Sequence, residues 1–274
     1  MTAPAFPAKA FPATARRLTV RLACDAEDLN AVQRLRWRVF FEEMGATPNP
    51  ALADPALAAL RCDADPYDAL CDHLLVVDES LPEGAERVVG TYRLLRESVA
   101  RAASGFYSAG EYDLAPLMPA GSERRELLEL GRSCVLPDYR TSATISLLWR
   151  GIADYINAHR ITLMFGCASF AGTDPALYAP ALSWLHHNHL ADADQRPRVL
   201  DGKGVSMELL PRGSYDERQA LFQLPPLVKG YLRVGATFGE GAYIDHAFNT
   251  VDVCVVMPVE RISNRYATKF SVAA

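Results

Sequence analysis

The sequence predicts one α/β domain built on a mixed sheet, and three observations lead there. Strand patterns alternate with helix patterns through most of the 274 residues. Two strand runs, His73–Asp78 and Arg87–Leu95, are joined by a turn at Leu81–Gly84 and read as antiparallel neighbours. Ile161–Ala168 is almost continuously apolar, the pattern of a strand buried on both faces.

The elements follow in order. Leu18–Ala23 alternates with period two and opens the fold as a strand. Asp25 or Asp28 can cap the next helix, roughly Leu29 to Met44, whose apolar face carries Leu29, Val32, Leu35 and Val39 before Gly45 ends it. Asn49 to Asp68 holds Pro50, Pro55 and Pro66 among acidic residues and reads as a loop-rich excursion. After the antiparallel pair, Phe106–Leu117 is a connection and Glu126–Val135 a central strand stopped by Pro137. Thr144–His159 is the clearest helix, with Ile145, Leu148, Trp149, Ile152, Tyr155 and Ile156 on one stripe. A helix near Ala176–His189, a turn at Pro225-Pro226, a short helix through Val228–Arg233 and the strand Val251–Met257 complete the reading. Residues 1–17 form an Ala- and Pro-rich flexible tail, and residues 18–274 form the domain, with a basic, aromatic stretch at Arg261–Phe270.

Composition removes several classes of function. Half of the residues are apolar and 22% are charged, as in a folded globular chain. The net charge of −5 argues against nucleic acid as the partner, while leaving room for a local basic patch that meets an acidic carrier protein. Six scattered cysteines form no CxxC pair and no cysteine–histidine spacing for zinc, so no metal is expected and a reducing compartment is. No run approaches the roughly 18 apolar residues of a membrane span. The expected location is the cytoplasm, with peripheral contact at the inner membrane face left open.

Two charged residues stand inside the apolar run Leu128–Val135. Burying a charge is costly unless it is paired, so Glu129 reads either as a proton acceptor for an amine or as the partner of Arg132 or another arginine. Arg140, Thr141, Ser142 and Ala143 follow that strand at a helix start, where free amides and a guanidinium can hold a phosphate. Thr141 or Ser142 would serve equally as an ordinary N-cap. Asp63, Asp65 and Asp68, with Asp72 and His73 beyond, make an acidic cluster that either attracts a cationic amine or is a solvated loop. Trp37, Phe40 and Phe41 line an acyl pocket or pack the core, and His186, His187 and His189 lack the carboxylates of a metal site. Cys134 is flanked by apolar residues and has no base near it in sequence.

Several stretches resemble a known family. Arg36–Phe40, Cys71–Asp78, Val89–Leu94, Glu129–Cys134, Pro137–Arg140, Leu163–Phe170, Pro225–Arg233 and Phe248–Asp252 are similar to bacterial ornithine-lipid N-acyltransferases, haemolysin-like members of the acetyltransferase superfamily. The likeness runs from about Leu18 to Phe270. A fainter one links Asp65–Asp68, Gly90–Arg93 and Glu129–Arg132 to acyl-homoserine lactone synthases, with Arg93 at the place of a core arginine.

The resemblance implies a GNAT-like fold and transfer of a 3-hydroxyacyl group from acyl carrier protein to the α-amine of ornithine, giving lyso-ornithine lipid. It implies no permanently bound cofactor, the phosphopantetheine of the carrier protein being the donor. Glu129 would be the catalytic base; Asp65, Asp68, Asp72, Arg93 and Arg132 would bind substrate; Arg140 to Ala143 would hold the phosphate; Trp37 and Phe40 would hold the acyl chain. Here the chain departs from the acetyl-CoA pattern, since Arg140 is followed by Thr-Ser-Ala-Thr-Ile, without glycines. Another amino acid such as glycine, a homoserine-derived signal, or a non-catalytic lipid- or protein-binding module remain the other readings.

Overall fold

The computed structural model describes residues 16–49, 54–118 and 126–262. Most of the tail expected at 1–17 and of the stretch Arg261–Phe270 lies outside the described residues. β1 (Leu18–Leu22) leads into α1 (Ala26–Trp37), whose N-cap is Asp25, accepting the amide of Asp28. Asp28 turns instead to Arg21. The helix continues as a wider π-helical stretch, Arg38–Glu43. The segment expected to be loop contains a short α2 (Pro55–Ala59), capped by Asp54 with proline in its first turn.

β2 (Asp72–Asp78) and β3 (Val88–Arg96) pair antiparallel, as the turn between them implies. α3 (Glu97–Ala102) and a short β4 (Tyr112–Asp113) then lead to β5 (Glu126–Val135). α4 (Ser142–His159), β6 (Ile161–Ala171) and α5 (Ala179–His189) follow, matching the two strongest periodic signals. β7 (Arg198–Val199), β8 (Gly204–Val205), α6 (Glu217–Gln223) and α7 (Pro226–Arg233) precede the closing hairpin of β9 (Thr237–Asp245) and β10 (Thr250–Pro258). Nothing in the sequence reading anticipated β9, α3 or α6.

The strands lie in the order β1-β2-β3-β5-β6-β10-β9-β7-β4, with β8 beside β9. All neighbours are antiparallel except β5 with β6 and the short β7 with β9. β2, β3 and β10 are buried at nearly every position, so both faces of the sheet are covered. α4 lies so close to one face that a Cβ on its Gly151 would come within 2.7 Å of Leu74. On another face Phe106 packs edge-on to Phe165 at 4.8 Å, within a cluster that includes Tyr112, Leu127 and Cys254. The chain between α3 and β4 thus forms a cover over β5, β6 and β10. Among the described residues no helix is long and apolar enough to cross a membrane.

Candidate active site

The central parallel pair does not stay together. β5 and β6 pair from Glu126/Ile161 to Glu129/Phe165, with a shift after Glu126, and no further, while β5 runs on to Val135 beside β3 and β6 to Ala171 beside β10. Gly166 marks the parting point, where an added Cβ would lie 2.1 Å from the Leu130 carbonyl oxygen. The pairing of β5 with β3 slips between Thr91 and Arg93, and Arg132 takes a φ of 49°, the signature of a bulge. In the resulting gap lies a cavity of about 860 Å³, bounded by Leu130–Val135 and by Cys167–Ser169.

Glu129 lines that cavity and is 4% exposed. Its two oxygens accept the amides of Ser108 (2.7 Å) and Tyr107 (2.8 Å), donated by the cover segment. Burial raises its pKa above the ordinary carboxylate value, the Ser108 and Tyr107 donors and Arg93 offsetting part of the effect. Arg132 is not its ion-pair partner.

Arg132 belongs to a closed ring of six alternating charges. Arg36 meets Asp63 at 2.8 Å, Asp63 meets Arg132 at 3.2 Å, and Arg132 meets Asp65 at 2.9 Å. Asp65 meets Arg93 at 2.7 Å, Arg93 meets Asp68 at 3.1 Å, and Asp68 returns to Arg36 at 2.7 Å. Burial opposes each charge, yet Arg93 and Arg132 hold Asp65, and Arg36 and Arg93 hold Asp68, below the usual carboxylate range. Asp65 and Asp68 are outside the cavity wall and are spent on guanidinium groups, whereas Arg93 and Arg132 do line the cavity. Asp72 is farther off, bonded to the Tyr155 hydroxyl at 2.5 Å and paired with Arg96 at 3.7 Å.

A second set of carboxyl groups faces the cavity. Glu111, Asp245 and Asp252 all line it and all are buried. Glu111 accepts the Cys167 thiol at 3.0 Å, and burial together with the charge of Asp252 pushes its pKa up to about 8. Burial, with Asp245 adding to it, lifts Asp252 to about 6. Asp252 Oδ1 and Thr250 Oγ1 are buried without a hydrogen-bond partner. Sequence reasoning passed over all three acids. For Asp252 the signal was present, because it interrupts the apolar run Val251–Met257 much as Glu129 interrupts its own strand.

The other end of the cavity is formed by Arg140, Ser142, Ile145 and Ser146 at the start of α4, with Pro226, Leu227 and Arg233 of α7. Arg140 holds Glu43 through two bonds of 2.7 Å and donates Nε–H to the Val135 carbonyl at 3.0 Å. Thr141 caps α4 by accepting the Thr144 amide, and neither it nor Ala143 lines the cavity. Phe40, Val39 and Met44, from the π-helical turn, supply apolar wall. Trp37 does not, and stacks on Phe41 at 4.4 Å instead. Cys134 lines the cavity as a neutral thiol, since burial pushes its pKa up to about 12. Away from the cavity, His187 bonds Tyr215 at 2.8 Å and Glu208 at 3.1 Å.

Parallel strands that part over a buried carboxylate, with a helix start beside the opening, are the architecture of the acetyltransferase (GNAT) fold. The model of the acetyltransferase (GNAT) domain family matches residues 35–150. A solved N-acyl amino acid synthase from uncultured soil microbes shares the fold at a TM-score of 0.50 and 11% identity, over 93% of this chain and 95% of that one. Two curated relatives are much nearer in sequence. The L-ornithine N(alpha)-acyltransferase of Brucella abortus is 49% identical, over 94% of this chain and 90% of its own. That of Rhodobacter capsulatus is 45% identical, over 90% and 92% respectively. The chain belongs to the L-ornithine N(alpha)-acyltransferase family.

Proposed function

We propose that the protein transfers a 3-hydroxyacyl group from the phosphopantetheine thioester of acyl carrier protein to the α-amine of L-ornithine, giving lyso-ornithine lipid. The observation that carries the reading is Glu129, a buried carboxylate open to a cavity large enough for both partners where the two central strands part. The relatives' shared name supports ornithine as acceptor.

In this reaction Glu129 takes a proton from the α-ammonium, directly or through one water, because only the neutral amine has a lone pair for attack. Its raised pKa makes that transfer easier than for an exposed carboxylate. The nitrogen adds to the thioester carbon. Backbone donors of the Leu130–Val135 stretch, freed from β6 by the parting, stabilise the oxyanion. Collapse breaks the C–S bond, and the departing sulfur takes up the second proton shed by the attacking nitrogen, directly or through water. No acyl-enzyme is required, because a thioester is already activated.

Arg93 and Arg132 offer the acceptor's carboxylate a positive wall, and the ring acids Asp65 and Asp68 hold those arginines in position. The donor arm enters beside α4, where Arg140, Ser142 and Arg233 face its phosphate. Arg140 would share its guanidinium between that phosphate and Glu43. Phe40, Val39 and Met44 border the acyl chain. Work on a lipid product suits a cytoplasmic enzyme in peripheral contact with the membrane, and the exposed Leu221 and Phe222 beside the α7 wall fit such contact.

Glu129→Gln tests the proposal. The variant should fold normally and lose acyl transfer by about two orders of magnitude or more, read as product mass from 3-hydroxyacyl carrier protein and ornithine. Wild-type turnover by the variant would remove Glu129 as the proton acceptor.

A further inference from the structure

The row of acids beyond Glu129 has no use in the proton transfer just described. Glu129 stands opposite Phe165 on β6, Glu111 is bonded to Cys167, and Asp252 stands opposite Ser169. Phe165, Cys167 and Ser169 are alternate residues of β6, about 6.6 Å apart along one face, and the three carboxyl groups beside them line the same cavity. Asp245 closes the far end of the row from the neighbouring β9.

Among the described residues none of the far acids has an ion-pair partner, and Arg132 acts on Asp252 only as a more distant charge. The nearest guanidinium groups, of Arg93 and Arg132, are held by Asp63, Asp65 and Asp68. The Asp245 carboxylate spends Oδ1 on the amides of Ala247 and Phe248, at 2.8 and 2.9 Å. Asp252 is 6% exposed; neither its Oδ1 nor the Thr250 hydroxyl beside it on the cavity wall has a partner of good hydrogen-bond geometry, although the Ser169 and Thr250 hydroxyls lie near enough to the carboxyl to hold its pKa down. Buried acceptors left open in this way are costly unless a ligand donates to them. Glu111 already receives the Cys167 thiol and Asp245 two amides, so the open acceptor is Asp252 Oδ1 within a cluster of three buried acids, which suits a ligand group with N–H bonds and a positive charge. A primary ammonium has both.

We propose that Asp252 and Glu111, backed by Asp245 and Thr250, form a subsite for the side-chain ammonium of the acceptor. This subsite would make the enzyme select diamino acids over neutral ones of the same length. The inference rests on the proposed reaction at Glu129 and deepens it. The two nitrogens of ornithine are five bonds apart, close to one same-face step of the strand. With the α-amine at Glu129, an extended ornithine brings its distal ammonium to Glu111, and Asp252, a step further on, supplies negative charge beyond it. The same contact keeps the distal amine protonated and thus unable to attack, so acylation is confined to the α-nitrogen.

The test compares kcat/KM for ornithine and for norvaline, which has the same carbon chain and no distal amine, using one 3-hydroxyacyl carrier protein donor. Wild type, Asp252→Asn and Glu111→Gln are measured side by side, with thermal midpoints to confirm folding. The ornithine-to-norvaline ratio should be high in wild type and fall at least tenfold in each variant, with norvaline turnover affected far less. Should Asp252→Asn fail to fold, the ratio in Glu111→Gln decides. An unchanged ratio in the folded variants overturns the subsite while leaving the reaction standing. A wild-type enzyme that ignores ornithine and acylates only neutral acceptors would instead overturn the proposed reaction.

Discussion

Glu111 shows how a single buried carboxyl can be read by titration. Its ordinary pKa of 4.5 rises to about 8 because burial and the neighbouring charge of Asp252 disfavour the ionised form. Between those two values the folded chain keeps a proton that the unfolded chain has released. Stability from this group is therefore fully present below about 4.5 and is lost as the pH climbs through about 8. Glu111→Gln removes the titration. Its thermal midpoint should match wild type near about pH 5 and exceed it near about pH 9, in scans without substrate. A gap that does not widen with pH would show that Glu111 ionises normally. The residue was invisible in sequence for a physical reason: it sits in an irregular connection, where no periodic pattern marks which side chains turn inward. Glu129 was visible because an acid inside an apolar strand must be explained. Asp252 offered the same cue in a strand that was read only for its hydrophobicity.

Among the elements, those with a strong period were legible and those held by tertiary contact were not. The stripe of α4, the apolar run of β6 and the β2–β3 pair all form as their patterns imply. β9 was missed because Thr237–Asp245 carries glycines at 239 and 241, which weaken a strand pattern. Its strand character comes from β10 on one side and β7 and β8 on the other. Nor could sequence show that β5 and β6 part, since each is a good strand throughout and the separation is a relation between them. Gly166→Ala tests how tightly that relation is set. A methyl group there meets the Leu130 carbonyl oxygen, so one strand must move. The expected cost is about 1–3 kcal/mol in urea unfolding, with a larger fall in acyl transfer than in stability. Full activity at wild-type stability would mean that the strands have slack at this point.

At the scale of the whole molecule, the ring of three arginines and three aspartates joins α1, β3 and β5 to the chain ahead of β2. Sequence reading identified Asp63, Asp65, Asp68, Arg93 and Arg132 as important but gave the acids to a substrate. Their closure into a ring depends on Arg36, which the sequence marked only as the start of the family-like stretch Arg36–Phe40. Removing one partner of a buried pair typically costs about 3–5 kcal/mol, and every member here has two partners. Asp68→Asn, which strips charge from the contacts to both Arg36 and Arg93, should lower stability by an amount of that order, measured by denaturant unfolding. A change below about 1 kcal/mol would place the ring among pairs that only break even. The ring has a further consequence for how the loop behaves. Cys62 and Ala64 are its fully buried apolar members, so residues 62–68 have little grease to anchor them and are fastened mainly by salt contacts. In Asp68→Asn the amides of the whole loop should begin to exchange with deuterium together, and the Arg132 bulge should loosen along with them.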